Sequence, residues 1–170
     1  LRAAQGEGGV VDVAARFEAR RNRSFTYVQS PNAGLIELDE APPLSHDEDA
    51  VEVALTVSAM MKMNPVAVMQ AMRKTVVDGS NTSGFQRTTL IATGGAVETN
   101  STPVGISLLT IEEDSARKLD TVSGTGGEVV IYTLDRLGVP LIEIATEPDI
   151  LSPIHAQETS KALGQLLRDT

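Results

Sequence analysis

Residues 88–99 read Thr-Thr-Leu-Ile-Ala-Thr-Gly-Gly-Ala-Val-Glu-Thr, and this stretch decides the fold class. Two runs of β-branched and aliphatic residues flank Gly94-Gly95, the pattern of a hairpin with a tight turn. Pro103–Ile111, with Val104, Ile106, Leu108 and Leu109, reads as the next strand, and Glu128–Leu134 as another. Val139–Ile144 is nearly all apolar, which predicts a buried strand. Ser152-Pro153 then opens a final helix whose Ala156, Leu163 and Leu166-Leu167 are expected to face inward. Helices therefore precede and follow antiparallel strands and do not alternate with them. The fold class is α+β, an antiparallel sheet flanked by helices, and not a doubly wound sheet.

Working back from the hairpin, Ser45 reads as an N-cap with Glu48 completing a capping box, and Asp47, Glu48 and Asp49 suit the positive end of a helix. That helix presents Ala54, Leu55, Ser58 and Met61 and runs to about Met63. Asn64-Pro65 predicts a second helix to about Met72, with proline at its first position. The methionines at 60, 61, 63, 69 and 72 are expected to fill the core between the two. Val10–Arg23 predicts a short helix, Ser24–Gln29 a strand, and Leu35–Glu40 a second strand ended by Pro42-Pro43. Thr121–Gly127 reads as a flexible loop tip.

The 170 residues suit one domain spanning 1–170, and 41% hydrophobic with 22% charged residues excludes a disordered chain. Only three Phe and two Tyr are present and no Trp, so the core must be aliphatic. The absence of cysteine excludes disulfides, thiolate zinc sites and thiol catalysis within this stretch. Net charge is −9, so no uniformly basic face for a large nucleic-acid footprint is expected. Lysine occurs only at 62, 74, 118 and 161, and an acidic, lysine-poor surface resembles salt-adapted proteins. There is no Met at the start, no signal peptide and no run long enough to span a membrane. The chain therefore reads as a piece of a longer cytosolic protein.

Three segments carry chemistry. Asp78–Arg87 is a polar loop with two glycines, flanked by Arg73, Lys74 and Arg87; it serves either as a phosphate or carboxylate cradle or as a solvated connection. It is not a P-loop, since no Gly-Lys-Ser/Thr follows the first glycine. Ile111-Glu112-Glu113-Asp114 puts Glu112 and Asp114 on one face of a strand end. The run suits either Mg²⁺, which takes one or two carboxylates plus phosphate oxygens, or the N-terminus of a helix through Ser115–Lys118. Glu143, between Ile142 and Ile144 in a strand expected to be buried, needs either a metal or a salt bridge to Arg136. His46 and His155 are expected on the surface and form no triad or zinc spacing.

Met72-Arg73-Lys74-Thr75, Asp78–Arg87, Ile111–Asp114, Leu134-Asp135-Arg136, Pro140–Ile144 and Glu147-Pro148-Asp149, in this order, resemble the GatB/GatE family, the kinase/transamidase subunits of tRNA-dependent amidotransferases. The Ser/Asn-rich loop and Leu35–Pro43 look like its archaeal E-type branch. The resemblance implies a catalytic cradle domain similar to the glutamine synthetase and guanidino-kinase fold. It also implies ATP-dependent phosphorylation of the glutamate side chain on misacylated Glu-tRNA(Gln), then displacement of phosphate by ammonia. ATP and Mg²⁺ are the implied cofactors. The implied partners are Glu-tRNA(Gln) and an asparaginase-like D-type subunit, in a heterodimer or heterotetramer, with no membrane. By the same resemblance Glu112 and Glu143 hold metal, and Lys74, Ser83, Gln86 and Arg87 line the cradle. An upstream Glu-Ile-His strand, an inserted synthetase-like domain and C-terminal tail domains are expected beyond this stretch, which makes it a partial cradle. The alternatives are a non-catalytic scaffold for a partner amidase, or another carboxylate kinase or amide ligase on the same fold.

Overall fold

In the computed structural model, which describes residues 8–170, the chain runs α1 (Val13–Arg20), β1 (Arg23–Val28), α2 (Glu48–Met60), β2 (Asn64–Pro65), β3 (Ala71–Thr75), β4 (Phe85–Thr93), β5 (Ala96–Val97), β6 (Val104–Glu113), β7 (Arg117–Gly124), β8 (Gly127–Thr133), β9 (Pro140–Thr146) and α3 (Pro153–Asp169). It divides into two compact units. The first comprises the chain up to Leu44, Arg73–Gln86 and Glu113–Val139; the second comprises Ser45–Met72, Arg87–Glu112 and Pro140–Thr170. The fold is α+β, with antiparallel strand pairs flanked by helices.

In the first unit the strand order is β1-β8-β7. β7 and β8 pair antiparallel, while β1 runs parallel to β8, from Arg23 opposite Glu128 to Val28 opposite Thr133. Alternation turns Phe25 and Tyr27 of β1 toward Val130 and Tyr132 of β8, and Ala116, Leu134, Leu38 and Leu137 close a small apolar core. Three readings fail here. The Thr121–Gly127 loop tip is the end of the β7–β8 hairpin, so the loop is far shorter than composition suggests. Leu35–Glu40 is a turn and not a strand: Asp39 N–H returns to Ile36 O, Glu40 N–H returns to Leu35 O, and Asp39 has φ 59°. The Ser115–Lys118 helix is absent too, because Arg117 opens β7.

In the second unit the order is β2-β4-β6-β5, with β3 on β4 and β9 on β6. α2 lays Ala54, Val57, Ser58 and Met61 inward at helical spacing, and α3 contributes Leu163 and Leu166. They cover one face of the sheet, where Ile91, Ala92, Ile106, Leu109 and Ile111 form the main core.

Several details differ from the sequence reading. Asp47, and not Ser45, caps α2, its Oδ1 accepting from Ala50 N at 3.1 Å. Asp47→Ala is expected to cost about 1 kcal/mol, read as a lowered denaturation midpoint in the full-length protein. No helix follows at Asn64. Lys62 turns left-handed at φ 55°, Met63 N–H returns to Ser58 O at 2.9 Å, and Pro65 sits in β2, where Val66 N–H reaches Ile91 O. Only Met61 and Met63 of the five methionines are core; Met60, Met69 and Met72 are exposed. Gly94-Gly95 does not close a β4–β5 hairpin, because β4 and β5 both pair with β6. β9 is not buried: Leu141 and Glu143 are exposed while Ile142 and Ile144 pack on the core.

α3 begins as expected, with Ser152 Oγ accepting from His155 N. Its inward positions, however, include His155 and Thr159, and Leu167 is exposed. His155 is only 5% exposed, and its Nε2 must carry the proton because it donates to Thr102 O at 2.9 Å. Among the described residues no helix is long and apolar enough to cross a membrane.

Candidate active site

The helix-covered face of the second unit's sheet dictates what lies on the other. Leu109 and Ile111 of β6 face α2 and α3, so Thr110 and Glu112 between and after them face away. β4 pairs antiparallel with β6, setting Thr88 opposite Glu112 and Leu90 opposite Thr110. β9 flanks β6 on its other side. The contacts Glu147 N–Gly105 O (2.8 Å), Ser107 Oγ–Ala145 O (3.0 Å) and Thr110 Oγ1–Glu143 Oε2 (3.5 Å) rise along one strand and fall along the other, so the two run antiparallel. With Ile142 and Ile144 on the core, Glu143 turns to the same face as Thr110 and Glu112.

Two carboxylates from adjacent strands therefore share the face of the sheet turned away from the helices. Thr88 Oγ1–H donates to Glu112 Oε1 at 2.9 Å. Glu143 is exposed, so the burial penalty that singled it out in the sequence does not apply; its place beside Glu112's strand does. Arg136, the sequence's candidate partner for Glu143, has its Nε 3.2 Å from Asp114 Oδ2. Among the described residues no group of three or more His, Asp or Glu is placed to hold a metal. Glu112 and Glu143 fit a hard cation that takes one or two protein carboxylates and completes its shell with phosphate oxygens and water.

Arg87 belongs to the same unit, but strand alternation puts it on the face of Thr89, away from Thr88 and Glu112. There it lines a cleft of about 470 Å³ with Ser45, His46, Glu48, Val51, Met69 and Ala71. His46 is half-buried and not on the surface, its Nε2 2.7 Å from Thr89 Oγ1.

Lys74, Ser83 and Gln86 belong to the first unit, around the loop that joins β3 to β4. Lys74 is exposed on β3; Ser83 Oγ–H donates to Phe85 O at 3.0 Å, and Gln86 Nε2–H donates to Glu113 O. The loop is a built structure and not a solvated connection. Asp78 Oδ1 accepts from Ser80 N and Oγ at 3.0 and 2.7 Å, Thr82 Oγ1–H donates to Glu37 O, and Ser115 Oγ–H donates to the buried Asn81 Oδ1. Gly79 sits at φ +83° with its Cα against the Phe25 ring, a place where a Cβ would overlap the ring. Two phenols clamp the turn: Tyr27 OH donates to Gly79 O at 2.6 Å and Tyr132 OH to Asp78 O at 3.0 Å. The rings of Tyr27 and Tyr132 stack at 6.0 Å. Sequence reasoning missed these anchors because they lie more than fifty positions from the loop; the only cue was that both Tyr residues sit in strands.

Burial, then Tyr132 and Asp78, raises the pKa of Tyr27 above its ordinary 10.0; burial and Asp78 also raise Tyr132, with Arg23 opposing. Both phenols hold their protons more tightly when folded. Their contribution is complete below pH about 10 and is lost as pH rises through the folded values. The full-length protein with Tyr27→Phe and Tyr132→Phe is expected to lose roughly 1 kcal/mol per hydrogen bond at neutral pH, but to show a shallower fall in melting temperature above pH about 10. Parallel curves for mutant and wild type would contradict the clamp.

A family model described as the GatB/GatE catalytic domain matches residues 15–170. Proteins named as the E-type subunit of glutamyl-tRNA(Gln) amidotransferase are similar over the whole chain. That of Thermoplasma acidophilum is 45% identical over 170 residues, that of Methanocaldococcus jannaschii 48% over 171, and that of Sulfurisphaera tokodaii 47% over 170. These alignments take in 100% of this chain and 28%, 26% and 26% of the respective relatives, so the chain spans about a quarter of the length of the curated relatives it matches.

Proposed function

The chain belongs to the GatB/GatE catalytic-domain family, and from that premise we propose that it is the partial catalytic cradle of a tRNA-dependent amidotransferase. The substrate is glutamate esterified to the misacylated Glu-tRNA(Gln), and the product is Gln-tRNA(Gln). The observation that carries the reading is the pair Glu112 and Glu143 on the face of the second unit's sheet turned away from the helices.

The chemistry sets what the site must do. A carboxylate is a poor acyl donor, so its oxygen first attacks the γ-phosphorus of ATP and ADP leaves. Ammonia then adds to the acyl carbon, phosphate departs with the C–O electron pair, and the ammonium proton is lost to solvent. A γ-phosphoryl group and a side-chain carboxylate repel each other as they approach. A divalent cation such as Mg²⁺, when bound, would supply positive charge that offsets this repulsion.

Glu112 and Glu143 would hold that ion, and their strands fix the direction from which it is presented. Lys74 brings an ammonium charge suited to phosphate or carboxylate oxygens, whereas Arg87 lines the cleft on the other face of β4 and has no role beside Glu112 and Glu143. Ser83 and Gln86 offer a hydroxyl and an amide on the anchored loop. Ammonia is delivered by an asparaginase-like D-type subunit, in a heterodimer or heterotetramer, and the whole assembly works in the cytoplasm with the tRNA pool. Similarity of the entire chain to proteins named as the E-type supports this reading over a B-type one.

The test uses the full-length protein, Glu-tRNA(Gln), ATP, Mg²⁺ and ammonium chloride, which replaces the partner's ammonia. Gln-tRNA(Gln) is expected, and omission of ATP or addition of EDTA is expected to abolish it. Amide formation without ATP would overturn the kinase step. No amide under any condition would leave a scaffold for a partner amidase as the better reading.

A further inference from the structure

We propose that Thr88 is a positioning residue for Glu112, a role that rests on the reading of Glu112 and Glu143 as a metal-binding pair. Thr88 lies directly opposite Glu112 across the β4–β6 ladder. Its Oγ1–H donates to Glu112 Oε1 at 2.9 Å, within the range of an O–H···O hydrogen bond. A glutamate side chain in solution samples many rotamers, and a metal ligand must surrender that freedom on binding. A hydrogen bond to one carboxylate oxygen fixes the plane of the group and so the directions in which its lone pairs point. Such outer contacts to ligating carboxylates typically change metal affinity by about 10–100-fold. Thr88 is suited to the task because its β-branched side chain is stiff about χ1, and the strand pairing holds it from the far side of the bond.

Thr110 is the comparable neighbour of Glu143, but its hydroxyl stands 3.5 Å from Oε2, at the outer limit of a hydrogen bond. The inference is therefore confined to Thr88. The hydroxyl does not touch substrate in this scheme. It acts through Glu112, which separates it from the residues that would bind phosphate directly.

The experiment is a Mn²⁺ titration of the full-length protein without nucleotide or tRNA, followed by loss of the free-ion paramagnetic resonance signal. Thr88→Val keeps the shape and removes the hydroxyl; Thr88→Ser restores it. Thr88→Val is expected to weaken Mn²⁺ binding about tenfold, Thr88→Ser to bind within about twofold of wild type, and Glu112→Gln to lose most of the binding. Should the valine variant fail to fold, Thr88→Ala is read in its place. Wild-type affinity in Thr88→Val together with loss in Glu112→Gln overturns the role of Thr88 alone. Wild-type affinity in Glu112→Gln overturns the carboxylate pair, and the role of Thr88 with it. Equal weakening in the valine and serine variants would mean that strand packing, and not the hydroxyl, is responsible, which also overturns the proposal.

Discussion

Glu143→Gln in the full-length protein is expected to lower ATP-dependent amide formation at least about a hundredfold while moving the melting temperature by no more than about a degree or two. Metal-based charge stabilisation supplies several kcal/mol in phosphoryl transfer, and each ~1.4 kcal/mol is tenfold in rate. Glutamine keeps the length and planarity of the side chain, so packing in β9 is preserved. Glu143 is exposed, and Ile142 and Ile144 carry the contacts of β9 to the core. A glutamate buried in a salt bridge behaves in the opposite way. Losing it costs roughly 3–5 kcal/mol of stability and spares the rate per folded molecule. Initial rates and melting curves on one preparation separate the two. Full activity with a lowered melting temperature would contradict the placement of Glu143 in the site.

Gly79→Ala is expected to be strongly destabilising. At φ +83° an alanine carries a left-handed penalty of roughly 1–2 kcal/mol. Its Cβ would also overlap the Phe25 ring, and forced overpacking adds roughly 1–3 kcal/mol. Together these remove a large part of the ~5–15 kcal/mol that holds a typical domain folded. Relief requires the turn to move, and the Tyr27 and Tyr132 hydrogen bonds to Gly79 O and Asp78 O move with it. The loop carrying Ser83 and leading to Gln86 then loses its fixed position. Urea unfolding is the measurement. An unchanged midpoint would mean that the turn is not held as described.

Much of the fold was legible where local signals and tertiary packing agree. β1 alternates cleanly, β6 and β8 stand out as runs of β-branched and aliphatic residues, and α3 announces its start with Ser152-Pro153 and its inner stripe with Leu163 and Leu166. The misreadings fall at edges and turns. Asn64-Pro65 carries the chemistry of a helix start, yet Lys62 has already reversed the chain and Ile91, far along the sequence, captures Val66. Gly94-Gly95 carries the chemistry of a hairpin turn, yet the chain runs on through it: Gly94 N–H donates to Ser107 O, Ile106 N–H donates to Gly95 O, and β5 continues along the same edge of β6 as β4. The apolar run of β9 reads as buried, but it lies beside β6 with one face open. Partners distant in sequence decide each of these cases, and composition carries no record of them.

The site was legible in unequal measure. Family membership follows from the order of motifs through Asp78–Arg87, Ile111–Asp114 and Pro140–Asp149, and the whole-chain similarity agrees with it. Glu112 was assigned to a metal by the resemblance, and alternation along β6 turns it away from the helix-covered core. Glu143 was singled out on an expectation of burial that the structure overturns: it is exposed, beside Thr110 of β6. Thr88 and the two tyrosines could not be found, because register across a sheet and hydrogen bonds to a distant turn are properties of the folded chain.

Trapping with hydroxylamine tests carboxylate activation most directly. The full-length protein is incubated with glutamyl-tRNA(Gln), ATP, Mg²⁺ and hydroxylamine but no ammonia, and the aminoacyl moiety is released and identified. An activated γ-carboxyl must yield the γ-hydroxamate with one ADP formed per hydroxamate, and Glu112→Gln and Glu143→Gln must each suppress both products together. ADP formation without hydroxamate, or hydroxamate undiminished in both variants, would contradict activation of the substrate carboxylate at this face.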